Sequence, residues 1–305
     1  MQFANAAAVG IESVRGYSVD YSERVAPLVN DAGLSLVAGL HVDAEALVEE
    51  WRSQVKLDEL ERTYDLSCPI EAICVGNELR EGGDAWGAKR FTARLSFGLA
   101  RVLEEYRVAL DARGLATPLT YAMEGIVFDS DGRFREHLWP LIDVLDIVSI
   151  NLYPMTVAHW RDYTAFDVSA EFLRDDRVWR RRISAYEAHL REIMEATSGK
   201  RVFLSEMGFP SGVGYTVDGT IDGQPHVRPR HDEKAFASRM TEYVELLRTV
   251  SDDYDGRLEA VYFYEWWDNH AHPKIWNVEK SPIHTCFGLC DEHGRPKMDI
   301  RALTV

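Results

Sequence analysis

Two glutamates stand where a short apolar run gives way to a turn: Glu78 in Val75-Gly-Asn-Glu-Leu and Glu206 in Phe203-Leu-Ser-Glu-Met-Gly-Phe-Pro. A carboxyl group can protonate a departing oxygen, attack carbon or accept a proton, according to its surroundings. Two carboxylates shown at the C-terminal ends of parallel barrel strands are the equipment for cleaving a glycosidic bond with retention: one protonates the leaving oxygen and the other attacks the anomeric carbon. That chemistry needs the groups about 5 to 5.5 Å apart, so residues distant in sequence must converge. A single strand-end Glu is usually a solvated loop residue. Two in matching contexts, one preceded by Asn and one followed by Gly and Pro, favour a site.

The elements that must position them are legible as seven apolar, β-branched or aromatic runs: Ile11 to Tyr17, Leu34 to His41, Ile70 to Val75, Leu119 to Met123, Val144 to Asn151, Val202 to Ser205 and Leu258 to Tyr264. Between them the helical period predicts helices over Glu23 to Asp31, Ala44 to Thr63, Lys89 to Asp111, Arg133 to Leu141, Trp179 to Ala196 and Glu233 to Val250. Strand and helix in alternation mean a parallel sheet with helices outside, either open and doubly wound or closed as a (β/α)8 barrel. Neither G-x-G-x-x-G nor G-x-x-x-x-G-K-[ST] occurs, which favours the barrel. One domain over residues 1–305 is expected, with the Gly-rich stretch Gly212 to Arg230 as a long loop. A strand-plus-helix unit takes about 30 residues, yet only ten precede Ile11. The expectation is therefore a barrel lacking its first βα unit at the N-terminus, with the first and last runs flanking a gap or meeting an irregular N-terminal segment.

With 34 basic against 50 acidic residues, net charge -16, the chain is a poor partner for nucleic acid or an anionic membrane, whereas an oligosaccharide or polysaccharide is compatible. No run approaches the about 18 to 20 apolar residues of a membrane span, and the first residues lack the pattern of a signal peptide. A soluble, cytoplasmic address is the default expectation. Cys68, Cys74, Cys286 and Cys290 show no C-x-x-C spacing, so reduced, buried thiols are expected over a local disulfide.

Val75-Gly-Asn-Glu and Ser205-Glu-Met-Gly-Phe-Pro-Ser-Gly, together with Val14-Arg-Gly-Tyr, Asn151-Leu-Tyr-Pro, Tyr262-Phe-Tyr-Glu-Trp-Trp-Asp, Glu279-Lys and Cys286-Phe-Gly-Leu, occur in one order along the chain. In this the sequence resembles the clan A glycoside hydrolases, most closely glycoside hydrolase family 17, the β-1,3-glucanases and glucanosyltransferases. The resemblance runs from about Val14 to Lys297 and implies Glu78 as acid/base and Glu206 as nucleophile, with no cofactor and no metal. Phe209 stands where the family usually has Trp, and the stretch after Gly212 differs from the plant enzymes.

The resemblance makes Asn77 the donor to a sugar 2-hydroxyl; a turn residue bonding its own backbone is the alternative. Arg15 and Tyr17 alternate with Val14 along a strand and could both face the barrel interior or mouth, where Arg beside a carboxylate favours its charged form; a structural ion pair is the alternative. Asn151 and Tyr153 lie at the end of the fifth apolar run, the sixth strand when the missing first unit is counted, and Tyr153 could hydrogen-bond the nucleophile or sugar, or be a satisfied core tyrosine. Trp266, Trp267 and Trp276 offer flat faces for sugar stacking, with burial as the alternative. Asp268 matches the family's extra acidic position, and Glu265 adds a carboxylate nearby. His270 and His272, without further ligands, do not make a metal site.

The expected function is a retaining β-glycoside hydrolase or transglycosylase acting on a β-linked glucan, β-1,3 foremost. The alternatives are a β-1,4-galactanase or β-mannanase of the same clan, or a carbohydrate-binding barrel without turnover. The sequence leaves the oligomeric state open.

Overall fold

The computed structural model describes residues 2–81, 91–125, 135–154, 169–221, 224–268 and 286–303. Contacts divide the chain into two compact units, one of residues 1–151, 193–205 and 257–262, the other of 152–192, 206–256 and 263–305.

The first unit opens with helix α1 (Gln2–Ala8) and continues as β1 (Ser13–Arg15), α2 (Val19–Asp31), β2 (Ser35–Leu40), α3 (Ala44–Glu49), α4 (Leu57–Tyr64), β3 (Ile70–Asn77), α5 (Ala93–Asp111), β4 (Leu119–Glu124), α6 (Trp139–Val144) and β5 (Ile147–Asn151). Two later strands, β6 (Arg201–Met207) and, numbered in chain order, β9 (Leu258–Phe263), complete a parallel sheet in the order β1-β2-β3-β4-β5-β6-β9. Every strand matches one of the seven expected from the sequence.

The sheet is rolled. Side chains of β2 (Val37), β3 (Ala72, Cys74), β4 (Ala122), β5 (Ile147), β6 (Phe203) and β9 (Tyr262) form one buried cluster. The Tyr262 hydroxyl lies 3.2 Å from Ser13 Oγ on β1 and donates to Glu71 Oε2 on β3 at 3.2 Å. In a flat sheet β1 and β9, six places apart, would be separated by roughly 29 Å. Among the described residues seven strands thus form a nearly closed (β/α) barrel with β1 and β9 as its two ends. The N-terminal segment is a helix: Phe3 and Ala7 of α1 pack with Val25, Ala26 and Val29 of α2 against Leu36 and Ala38, on the face of β2 opposite Val37.

The helices follow the expected periods with one clear departure. Ala44 to Thr63 is three pieces, because Glu50 leaves helical geometry (φ -146°, ψ 82°) before a 3-10 turn at Trp51–Gln54 and α4. Long-range bonds hold the break open: Asp43 N donates to Gln54 Oε1 at 2.8 Å and Lys56 N to the Tyr106 hydroxyl at 3.0 Å. Tertiary partners here outweigh local propensity.

The second unit contains α7 (Ser169–Arg174), the greater part of α8 (Asp176–Ala196), the hairpin β7 (Gly212–Ile221) with β8 (Gln224–His231), and α9 (Glu233–Asp253). The hairpin replaces the loop expected over Gly212 to Arg230, its antiparallel register running from Gly212↔His231 to Ile221↔Gln224. Phe172, Trp179, Phe236 and Tyr243 surround Phe209 at centroid distances of 5.3, 5.6, 5.4 and 6.0 Å. Phe209 is therefore a packing residue. All four cysteines are free and buried, as expected.

A Cβ on Gly39 of β2 would stand 2.4 Å from the Tyr17 carbonyl carbon and 2.6 Å from Gly16 O. Both obstacles are backbone, so Gly39→Ala is expected to force β1 and β2 apart at a cost of about 3 kcal/mol, seen as a lowered denaturant midpoint at constant slope.

Candidate active site

Glu78 follows the last residue of β3, and the strand is shaped to deliver it. Between Cys74↔Thr120 and Asn77↔Ala122 the β3–β4 register slips by one residue, a bulge that re-aims the side chains at the strand end. Glu78 itself has φ 46°, a left-handed conformation that costs a non-glycine residue free energy. Backbone bonds hold it there, from Glu78 N to Ala122 O at 2.9 Å and from Leu79 N to the Tyr121 hydroxyl at 2.9 Å.

Around it the first unit assembles a polar network. Asn151 Nδ2 donates to Glu78 Oε1 and to Asn77 Oδ1, both at 3.1 Å, while Asn151 Oδ1 accepts from Ser205 Oγ at 2.8 Å. Arg15 donates from Nη2 to Asn77 Oδ1 at 2.7 Å and from Nη1 to the Ser205 carbonyl at 2.8 Å, and its guanidinium lies 4.7 Å from the Tyr17 ring centroid. The two donors on its oxygen fix the orientation of the Asn77 amide. Asn151, expected to bind substrate, is only 3% exposed, and its amide is bonded to Glu78, Asn77 and Ser205. Tyr17 is among the exposed large side chains. Two members escaped the sequence reading: Arg80 Nη2 lies 2.6 Å from Glu124 Oε1 and 3.6 Å from Glu78 Oε2. Glu124 closes β4 as Glu206 approaches the end of β6, and that same strand-end signal could have found it.

In the second unit, Glu206 is buried near the end of β6, and its Oε2 accepts from the Tyr153 hydroxyl at 2.7 Å. The carbonyls of Glu206 and Met207 accept from Leu152 N at 2.9 Å and Tyr264 N at 2.8 Å. Tyr153, Tyr264 and Phe287 pack edge to face with centroids 5.8 to 6.4 Å apart. Gly208 is required here: its φ is +145°, and a Cβ would meet Tyr264 O at 2.8 Å. Burial, reinforced by the charges of Glu265 and Glu206, pushes the Tyr264 phenol well up, so it stays a hydrogen-bond donor. Trp266 is half-buried and Trp267 exposed on the segment after β9. Trp276, His270, His272 and Glu279-Lys lie outside the described residues.

Asp268 departs from the sugar-binding role expected of it. Its carboxylate is fully buried; Oδ1 accepts from Lys297 Nζ at 2.5 Å and Gly288 N at 2.9 Å, and Oδ2 lies 3.9 Å from His231 Nε2. Lys297, equally buried, also donates to Ser211 Oγ at 2.9 Å and the Cys286 carbonyl at 3.2 Å. His231, Asp268 and Cys286 bring ligand-type atoms within 4.8 Å of one another. The Lys297 ammonium already supplies the positive charge that Asp268 requires, which disfavours a cation there.

No family model matches the chain, and no curated protein is similar to it in sequence. Among solved structures it is similar to an endo-laminarinase from Formosa Hel1_33_131, with TM-score 0.60 and 14% identity over 95% of this chain and 76% of that one. It is similar also to the β-glucuronidase of Ruminococcus gnavus, with TM-score 0.64 and 11% identity over 99% of this chain. The chain spans 45% of the length of that glucuronidase. At such identities the likeness is one of fold, the TIM barrel.

Glu265 supplies a pH prediction. Burial, then the nearby Asp268 charge, pushes its carboxyl up to about 7, against an opposing pull from Lys297. A folded value above the unfolded one means that its stabilising contribution is complete below about pH 4.5 and is lost as pH rises through about 7. Glu265→Gln is therefore expected to unfold like the parent at pH 4 and to be more stable by about 2 to 3 kcal/mol at pH 8. Urea melts at the two pH values measure this.

Proposed function

We propose that the protein is a retaining β-glycoside hydrolase acting on a β-linked glucan, with β-1,3-glucan as the favoured substrate. The observation that carries this reading is the strained, bulge-delivered Glu78, held by Asn151 beside an Asn77 amide whose N–H2 is left for a sugar hydroxyl. The Tyr153–Glu206 hydrogen bond supports a carboxylate fixed for attack. The likeness in fold to an endo-laminarinase favours a glucan over the galactan and mannan alternatives.

In this reading Glu206 attacks the anomeric carbon while the carboxyl proton of Glu78 passes to the departing glycosidic oxygen, and a covalent glycosyl-enzyme forms. Glu78, now a carboxylate, takes a proton from water, whose oxygen displaces Glu206 from the sugar; a sugar hydroxyl in place of water gives transglycosylation. Asn77 steadies the 2-hydroxyl through both steps. Tyr153 holds Glu206 before attack and after release.

Product analysis after incubation with laminarin, β-1,4-galactan and β-mannan tests the substrate class; oligosaccharides from laminarin are expected, and binding without products from any of the three would mark a non-catalytic barrel. Glu206→Gln is expected to lower turnover at least 10⁴-fold with sugar binding retained, because an amide cannot act as nucleophile. Glu78→Ala should lose laminarin hydrolysis yet keep activity on dinitrophenyl glycosides, whose departure needs no proton, with azide restoring the second step. Full activity in the Glu206 variant would refute the assignment.

A further inference from the structure

Glu78 must hold a proton in the resting enzyme and survive as an anion halfway through the cycle, two demands that a fixed neighbouring cation would set against each other. Arg80 stands at the place where that conflict is decided. Its Nη2 is bonded to Glu124 at 2.6 Å and is separated from Glu78 Oε2 by 3.6 Å, longer than a hydrogen bond. The Arg80 side chain is 9% exposed, Glu78 27% and Glu124 22%, so water screens the trio only in part. Glu78 is also faced by the neutral Asn151 amide on β5 and the Tyr121 phenol on β4. Arg15 reaches its neighbour Asn77.

Resting on the acid/base reading of Glu78, we propose that Arg80 and Glu124 are a positioning pair that sets the proton affinity of Glu78 across the catalytic cycle. Glu124 takes most of the guanidinium's charge and keeps the cation from stripping Glu78 of the proton it must donate. Once that proton has gone to the leaving oxygen, the Glu78 anion draws on the same Nη2, which needs a displacement of well under 1 Å to reach hydrogen-bonding distance. The pair thus supports the acid in one half of the cycle and the base in the other.

Removing the two partners should move Glu78 in opposite directions, an outcome that a merely structural ion pair would not give. Glu124→Gln takes away a like charge and releases Arg80 toward Glu78, so the titration midpoint of Glu78 is expected to fall by about one pH unit; Arg80→Gln takes away the cation and leaves Glu124 unpaired, so it is expected to rise by about as much. The probe is the ¹³C carboxyl resonance of Glu78 in glutamate-labelled protein, assigned by its loss in Glu78→Gln and followed from pH 3 to pH 9. The alkaline limb of kcat/KM on laminarin should move in the same two directions, and that on 2,4-dinitrophenyl β-laminaribioside should stay put. Should either variant fail to fold, Glu124→Asp and Arg80→Lys serve instead: the first is expected to lower the midpoint and the second to hold it near that of the parent. Midpoints that stay fixed, or that shift together, in folded variants overturn the pairing. If Glu78→Ala shows azide rescue while the midpoints stay fixed, the pair alone is wrong; if azide rescue is absent, the acid/base reading falls and the inference with it.

Discussion

The buried amide of Asn151 ties the ends of three strands of this sheet together. It cannot go to water, so its donor and acceptor must be matched inside, and it finds Ser205 on β6 and the Asn77–Glu78 pair at the end of β3. Those partners sit on different strands and come within reach of one amide only if the sheet is curved and the β3–β4 register slips where it does. Leaving either end unmatched would cost about 1 to 3 kcal/mol. Strand curvature, the bulge, and the left-handed backbone of Glu78 are thus parts of one solution.

Curvature has its own cause. Small side chains on the inner face, Ala72, Cys74 and Ala122, leave room for Phe203 and Tyr262 to fill the middle, so a sheet of seven strands can roll around a short list of residues. Among the described residues no eighth strand separates the ends of this sheet. Tyr262 bridges them with one hydroxyl, facing both Ser13 and Glu71, and burial together with the Glu71 charge pushes that phenol up so that it remains a donor. On the outer side α1 and α2 cover β2, burying an apolar face that would otherwise be exposed.

What the sequence made legible was whatever depends on local pattern. Apolar runs marked all seven strands of the parallel sheet, because a strand buried on both faces must be apolar throughout, and the places of Glu78 and Glu206 at the ends of such runs are what make them candidates. What depends on distant partners was not legible. The break inside Ala44 to Thr63 is held by Tyr106, about fifty residues on. The hairpin at Gly212–His231 hides in a stretch rich in Gly and polar residues, where strand alternation is weak. Arg80 and Glu124 carry no joint signature, since their pairing exists only once β3 and β4 are in register. Asp268 illustrates the opposite error: read by its motif as a cleft carboxylate, it is claimed by Lys297 from the far end of the chain.

The two charge clusters show why residue type alone does not assign a role. Lys297 and Asp268 have side chains 1% and 0% exposed and are bonded by several donors and acceptors, so removing either would strand a buried charge at a cost of about 3 to 5 kcal/mol. Such a pair fixes structure because neither member can change its charge without loss of the other's partner. Arg80, Glu124 and Glu78 contain the same chemistry in looser form, with one short contact, one long one, and partial access to water. In the proposed reading a proton comes and goes from Glu78 while Arg80 stays paired with its second carboxylate, Glu124. The same attraction that locks Lys297 to Asp268 becomes, with an extra ångström and a spare partner, one that can be adjusted, and adjustability is what the acid/base role proposed for Glu78 calls for.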